Sequence, residues 1–282
     1  MKSLNIMISA VLLTSLSVGV ASAQESDKYH PLVSSKFSIG LGAYRPTKKN
    51  SIGANVKVED ENLQQSLDTT ESQSTGILNL RWRYTENWSF AANLWTTSND
   101  SRETLNKDYQ NPFGDEGEVF LKGSFIGSGI DTSIARLFWG RSFSGSAKTD
   151  WGVGLGLHWM EIDAYVEGQL SVAGAGGSVA EFQRESASAA APLPNLGIWY
   201  MYSWSPKWVV ITRLDWLDVT FDEFSGSMFD ASVGVNYQMS DHFGVGLAVN
   251  AFDLNVAVDT GTENFDLETS QYGPRLNLTW NW

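Results

Sequence analysis

The chain ends in the stretch Tyr272-Gly-Pro-Arg-Leu-Asn-Leu-Thr-Trp-Asn-Trp282, and this stretch decides the fold. Read as an extended strand, it places apolar side chains on one face and polar side chains on the other, because successive residues point to opposite faces. The apolar face carries both tryptophans. A strand with one face toward lipid, one face toward a lumen and aromatic residues at the membrane interface has this pattern. The stretch therefore predicts a transmembrane β-barrel.

The start of the chain has the layout of a cleavable secretory signal. Lys2 is followed by an apolar run from Ile6 to Val20 and then by Ala21-Ser22-Ala23. A basic start, a short apolar core and a small-residue ending describe a signal peptide. Serines and a threonine interrupt the apolar core, which argues against a membrane anchor. We expect residues 1–23 to be removed and residues 24–282 to form a single barrel domain.

The composition excludes several classes of function. The formal net charge of −13 argues against a nucleic-acid partner, because nucleic acids require a basic surface. The absence of cysteine excludes disulfides, thiolate nucleophiles and cysteine-based metal sites. The 26 glycines and the aromatic share of 12% suit a barrel, with glycine where the lumen is crowded and aromatics at the interfaces. We expect no cofactor and no bound metal.

The alternation seen in the last strand recurs along the chain with a regular hairpin rhythm. Four tight turns, near Glu86, Gly145, Pro206 and Asp241, alternate with five longer loops, which include residues 47–75 and residues 167–191. This rhythm predicts an all-β, up-and-down antiparallel barrel of ten strands, with both termini on the side of the short periplasmic turns. Pairing of residues 52–58 or 119–125 with a neighbour would give twelve strands, and loss of a weak pair would give eight.

Aromatic residues on the outward faces cluster beside the tight turns and predict one interfacial girdle. The girdle residues are Trp82, Tyr84, Trp88, Tyr202, Trp208, Tyr237 and Trp282. Charged residues are scarce at outward mid-strand positions, where an exposed Lys or Arg would cost roughly 2–4 kcal/mol in a bilayer. A soluble β-sandwich would need a second layer to cover its apolar faces, and it does not explain the girdle.

The inward faces carry a set of charged residues that predicts a network inside the lumen. Its members are Arg81, Arg83, Arg136, Arg213, Asp215, Asp230 and Arg275. In a small barrel, side chains fill the interior and buried arginines must be paired, so the pattern favours a plug. An anion-selective constriction is the alternative interpretation.

None of the three histidines is predicted to be catalytic. His30 lies in the expected N-terminal tail, His242 follows a tight turn, and only His158 is placed inward at mid-strand. The sequence predicts no serine or carboxylate partner for His158, so we assign no catalytic residue.

The signal, the hairpin rhythm and the final Trp282 resemble the small bacterial outer-membrane β-barrel superfamily of OmpA-transmembrane-domain and OmpW-like proteins. The resemblance implies the outer membrane of a Gram-negative bacterium, contact with outer-membrane lipids and lipopolysaccharide, and recognition of the last strand by the outer-membrane assembly machinery. These shared features indicate place and fold more than activity, and our first hypothesis is a non-enzymatic role in structure, in loop-mediated binding or as a pore for very small solutes. The alternative is an outer-membrane hydrolase acting on lipid A or peptides. Omptin proteases share the ten-strand design, but they use rim residues that include a His, and the sequence predicts no His near a rim.

Overall fold

The structure is a computed structural model that describes residues 29–58, 61–98, 100–106, 109–110, 118–120, 122–143, 146–172, 181–221, 224–259 and 263–282. The predicted signal, residues 1–23, lies outside these ranges. Among the described residues, no helix is both long enough and apolar enough to span a bilayer.

The described chain is almost entirely β-strand. A single four-residue helix, α1, precedes the strands and covers Pro31–Ser34. The strands are β1 (Phe37–Tyr44), β2 (Thr47–Val58), β3 (Glu61–Ser72), β4 (Thr75–Arg83), β5 (Trp88–Thr97), β6 (Asp100–Thr104), β7 (Tyr109–Gln110), β8 (Glu118–Phe120), β9 (Phe125–Ser142), β10 (Thr149–Val172), β11 (Glu181–Ser205), β12 (Trp208–Phe221), β13 (Phe224–Gln238), β14 (Phe243–Asp259) and β15 (Glu263–Asn281).

Ten of these strands close a barrel. Their order is β9, β5, β4, β1, β15, β14, β13, β12, β11 and β10, and β10 pairs again with β9. All pairs are antiparallel, and each barrel strand neighbours the next one along the chain. The first and last strands meet where the Phe37 amide donates to the Trp282 carbonyl at 2.9 Å and the Trp282 amide donates back at 3.0 Å. The prediction of a ten-strand, up-and-down antiparallel barrel is confirmed. Residues 52–58 do pair with neighbours, as the twelve-strand alternative required, but β2 and β3 are extra strands outside the closed barrel, which keeps ten.

The two faces of each barrel strand differ as the alternation predicts. Outward leucines on five different strands are between 58% and 60% exposed, at Leu41, Leu155, Leu196, Leu247 and Leu278. Polar residues on inward faces are buried instead, Asp215 and Asp230 completely. An apolar exterior around a polar interior is the reverse of a soluble domain and suits contact with lipid.

Several strands continue well past the barrel on the side opposite the tight turns. β10 and β11 are 24 and 25 residues long and remain paired from Thr149–Tyr202 to Leu170–Glu181. About 9–11 residues suffice to cross a bilayer on a tilt, so more than half of this hairpin stands outside it. The predicted long loop over residues 167–191 is therefore wrong, since most of it is strand; residues 173–180 lie outside the described ranges. β2 and β3 likewise form a paired hairpin within the predicted loop at residues 47–75, and β2 also pairs with β15.

The extended wall has a seam between β3 and β6. Within the described ranges, β3 pairs only with β2, and β6 pairs only with β9. The hydroxyl of Thr75 donates to the Thr96 carbonyl at the point where the pairing of β4 with β5 ends. The sheet is therefore closed below this point and open above it.

Helix α1 lies inside the tight-turn end of the barrel. Leu32 and Val33 are buried against Met201 and Val209 from the barrel wall. His30 begins the helix, because its Nδ1 accepts from the Leu32 amide at 3.1 Å, and the His30 amide donates to the Ser203 hydroxyl at 2.8 Å. His30 precedes the first barrel strand, as expected of the N-terminal tail, but this part of the tail folds into the barrel and His30 is fully buried.

Candidate functional site

The lumen is organised in layers, and the first layer above α1 is an ion-pair cluster. The Asp150 carboxylate accepts from Arg83 Nη2 at 2.7 Å and also from Arg81 Nη2. The Ser142 hydroxyl donates to the other carboxylate oxygen at 2.5 Å. Both arginines also donate to α1, at 2.7 Å to the Leu32 carbonyl and at 2.8 Å to the Val33 carbonyl. The cluster therefore attaches the helix to the barrel wall.

The second layer, at mid-lumen, is built around two aspartates. Asp215 and Asp230 are direct cross-strand partners in β12 and β13, an arrangement that is repulsive unless cations intervene. Arg136 binds Asp215 with two parallel contacts, Nε to Oδ2 at 2.6 Å and Nη2 to Oδ1 at 2.9 Å. Arg213 donates to Asp230 at 2.5 Å, and its Nε lies 3.4 Å from Asp215. The positive charges of the two arginines therefore compensate the repulsion between the Asp215 and Asp230 carboxylates.

Amide side chains complete this layer. The Asn93 Oδ1 accepts from Arg136 at 3.2 Å and from Arg213 at 2.9 Å. The Asn250 amide donates to Asp230 Oδ1 at 3.2 Å. Buried charges are tolerated when each is paired and hydrogen-bonded, and these contacts meet that requirement for four of the predicted charged residues.

Glycines make room for the large side chains of the lumen. A Cβ at Gly197 would collide with an Asp215 carboxylate oxygen, and at Gly156 it would lie 2.6 Å from the Asn195 amide. The Trp199 ring lies where a Cβ of Gly140 or Gly152 would be. Since these glycines face inward beside bulky partners, the row of glycines in β10 allows the wall and the network to approach closely.

Arg275 faces the same layer without joining an ion pair. Its Nη2 donates to Asn79 Oδ1 at 3.1 Å and its Nη1 to Asn250 Oδ1 at 3.4 Å. Its Nε is buried and has no hydrogen-bond partner in the described part of the chain. The seven predicted network residues thus fall into two ion-pair groups, one around Asp150 and one around Asp215 and Asp230, with Arg275 beside the second.

A third layer, on the side away from α1, is apolar. Its buried members are Tyr44, Ile77, Trp95, Ile134, Met160, Leu193, Met228, Phe252 and Leu254. Some lie two positions before a network residue on the same strand, as Ile134 precedes Arg136 in β9 and Met228 precedes Asp230 in β13. These residues form a hydrophobic cluster across the lumen.

A cavity of about 210 Å³ lies between α1 and the mid-lumen layer. Four of the five network arginines line it, namely Arg81, Arg136, Arg213 and Arg275, together with asparagines and the apolar side chains of Leu32, Phe138, Trp199 and Met201. It is bounded by the helix below and by the charged and apolar layers above.

His158 belongs to the charged layer. Its Nε2 lies 3.2 Å from Asp230 Oδ2 and its Nδ1 lies 3.0 Å from Asn195 Oδ1, and the side chain is fully buried. The carboxylate partner that the sequence did not predict is therefore present. The contact occupies His158 within the network.

The side chains of His158, Asp215 and Asp230 come close enough together to suggest a metal site. Their oxygen atoms are already used, because Asp215 holds Arg136 through both oxygens and Asp230 holds Arg213, His158 and Asn250. A divalent cation would have to displace two guanidinium groups that carry the same sign of charge. The residues therefore do not fit a resident metal.

The predicted girdle residues all lie on the outside of the barrel near the tight turns. Their rings contact one another or adjacent rings: Trp82 and Tyr84 at 5.7 Å between centroids, Trp208 and Tyr237 at 4.8 Å. Trp88 stacks on Trp139 at 4.6 Å, and Trp282 lies 4.6 Å from Phe37. The Lys148 ammonium lies over the Tyr202 ring, 4.8 Å from the ring centroid.

No family model matches the chain, and no curated protein matches it by sequence. Among solved structures, the chain is similar to the outer membrane protease OmpT from Escherichia coli, with 9% identity and a TM-score of 0.53 over 90% of this chain and 98% of that one. The chain is less similar to the toluene transporter TodX from Pseudomonas putida, with 10% identity and a TM-score of 0.35 over 90% of this chain and 92% of that one. It is also less similar to Ail of Yersinia pestis, with 10% identity and a TM-score of 0.27 over 85% of this chain and 97% of that one. TM-scores this low do not show a shared fold. The likeness to OmpT, at this identity, shows that the chain has the fold of a ten-strand outer-membrane barrel.

Proposed function

We propose that this chain is a non-enzymatic outer-membrane β-barrel protein of the Gram-negative envelope, with a plugged lumen and a role in structure or in binding through its outer hairpins. The observation that carries the proposal is the filling of the lumen at three levels. Helix α1, the two ion-pair groups and the apolar cluster follow one another along the barrel axis.

The exterior supports residence in the outer membrane. Leucine and tryptophan side chains cover the barrel surface, and the aromatic belt lies beside the tight turns, where a bilayer interface would be. We propose outer-membrane lipids and lipopolysaccharide as the surrounding partners. The last strand, with outward Leu278, Trp280 and Trp282, is the proposed recognition element for the assembly machinery.

Planar-bilayer recording tests the plugged lumen. We expect the refolded protein to give no steady conductance steps, because α1, the ion-pair groups and the apolar layer fill the lumen. The double substitution Trp95→Ser and Phe252→Ser removes two rings of that layer that lie 6.4 Å apart, while α1 and the ion-pair groups still fill the lumen, so it is also expected to give no steady steps. Steady steps from the unsubstituted protein would contradict the plug and favour the pore for very small solutes.

A hydrolase acting on lipid A or peptides is less well supported. The pair of His158 and Asp230 is buried at mid-lumen, whereas a substrate of either class would reach the barrel at its rim or its lipid face. If the protein turns over any lipid A or peptide, we expect the substitution His158→Gln to leave that turnover unchanged. Turnover that depends on His158 would overturn the non-enzymatic assignment.

A further inference from the structure

The cavity between α1 and the mid-lumen layer has more positive than negative charge around it. In the described part of the chain, Arg81 and Arg83 share the single carboxylate of Asp150. In the layer above, Arg136, Arg213 and Arg275 face only Asp215 and Asp230. Each group therefore has one guanidinium more than it has carboxylates.

Arg275 is the cation without a carboxylate partner. No aspartate or glutamate among the described residues forms an ion pair with it, and its contacts are to the amide oxygens of Asn79 and Asn250. An isolated charge in a poorly hydrated interior is strongly unfavourable unless an opposite charge compensates it. A guanidinium in this position needs an anion.

Three buried donors at the cavity have no hydrogen-bond partner in the described ranges: the Arg213 Nε, which lies 3.4 Å from Asp215, the Arg275 Nε and the Trp199 indole Nε1. One buried acceptor of the lining, the Asn236 Oδ1, is also without a partner there. Donors outnumber acceptors, so the group that would complete most of these hydrogen bonds is an acceptor. The volume of about 210 Å³ exceeds what a single water needs, since roughly 10–15 Å³ holds one water.

We propose that this cavity is a binding site for a small oxyanion, such as phosphate, sulfate or a short carboxylate. A guanidinium presents donors in a planar fork that matches two oxygens of such an anion better than it matches a halide. Arg275 supplies the uncompensated charge and the free Nε, and Arg213 supplies further positive potential beside it. The arginines thus hold an anion between α1 and the mid-lumen layer; they do not pass it through a pore. This site does not depend on the role proposed above for the barrel.

The anion exchanges from the tight-turn side. The apolar layer lies on the other side, whereas α1 is held by its carbonyl contacts to Arg81 and Arg83, by the His30 amide and by two apolar side chains. Leu32 both belongs to α1 and lines the cavity. Movement of this four-residue helix is therefore enough to open the cavity.

The test measures binding of sodium sulfate to the full mature chain refolded in detergent. Sulfate is added at constant ionic strength, with chloride as the balancing salt, and binding is followed by calorimetry and by the rise in Tm. We expect saturable binding of one sulfate, a weaker effect of chloride, and at least tenfold weaker sulfate binding for Arg275→Gln. Arg141→Gln is the matched control, since this arginine lies outside the barrel near Trp88 and Phe143.

A second variant keeps every arginine and fills the space instead. Ala91 lines the cavity, and Ala91→Leu is expected to abolish sulfate binding while the heat-modifiable gel migration of the folded barrel is retained. The proposal is overturned if neither sulfate nor phosphate binds to the unsubstituted protein. It is also overturned if chloride binds equally well, or if Arg275→Gln and Arg141→Gln weaken sulfate binding to the same extent.

Discussion

Replacement of Arg136 by methionine is the most direct test of the mid-lumen layer. Its guanidinium and the Asp215 carboxylate are 3% and 0% exposed, and two parallel contacts join them. The substitution leaves Asp215 directly opposite Asp230 with only Arg213 between them. Removing one partner of a buried ion pair costs about 3–5 kcal/mol, because the other charge stays buried without compensation. We expect Arg136→Met to lower the free energy of unfolding by this amount.

The assay is urea unfolding of the barrel in short-chain lipid vesicles, followed by tryptophan fluorescence and by heat-modifiable migration. Coincidence of the two transitions supports two-state treatment. The double substitution Arg136→Met and Asp215→Asn removes both charges, so it is expected to recover about 2 kcal/mol relative to the sum of the single effects. Arg141→Met, outside the lumen, is expected to cost less than about 1 kcal/mol.

The reasoning is refuted if Arg136→Met costs no more than Arg141→Met. That result would mean that Asp215 is hydrated when its partner is removed, and hence that water fills the lumen at this depth. A double substitution that costs as much as the sum of the two single substitutions, Arg136→Met and Asp215→Asn, would show that the two residues are not coupled.

Three further predictions concern the ends and the wall of the barrel. Deletion of residues 280–282 removes the contact of Trp282 with Phe37 and is expected to prevent outer-membrane assembly. The control Trp282→Phe keeps an aromatic ring and is expected to assemble. Normal insertion of the deletion variant would exclude a role of the last strand as the assembly signal. Gly197→Leu should lower the free energy of unfolding in urea by about 3 kcal/mol, because its Cβ collides with the Asp215 carboxylate and comes within 2.5 Å of Phe138. Gly76→Ala, where a Cβ meets no atom within 4 Å, is the control, and equal effects would contradict the crowding. Burial lowers the pKa of His30 from 6.5 to about 4, and a hydrogen bond from Asn236 acts in the opposite direction. The docked helix therefore requires a neutral His30. Docking of α1 keeps its full stability above pH 6.5 and loses about 3 kcal/mol as the pH falls toward 4. Hydrogen exchange of residues 30–35, corrected for intrinsic rates, should increase over this range in the parent protein and not in His30→Gln; an equal increase in both would contradict it.

The barrel itself was predictable because lipid imposes a strict period of two on each strand. Even β9, where the alternation around Ile134 is imperfect, has Leu137 and Trp139 outward and Arg136 and Phe138 inward. The upper parts of the strands were not predictable in the same way. Residues 181–191 are mostly small or polar, with the exception of Phe182. Outside the bilayer no apolar face is required, so the composition resembles a loop although the backbone is paired strand.

The lumen was predictable only in part. Alternation placed the seven charged residues inward, but it does not indicate which strands lie across the lumen from one another. The partner of Arg81 and Arg83 is Asp150, at the start of β10, whose inward position follows from the outward position of Trp151. Helix α1 gave no periodic signal, because four residues are too few for one, and its position depends on contacts with distant strands.

The seam between β3 and β6 divides one sheet into a lower part that is closed and rigid and an upper part that is open and can deform. Below it, the wall cannot open without breaking backbone hydrogen bonds, since each barrel strand has two neighbours. Above it, the described strands form a rolled sheet with two free edges, and the edges can move apart without loss of a single pairing between them. The outer hairpins can therefore adapt their shape to a contact while the buried charges below keep their geometry.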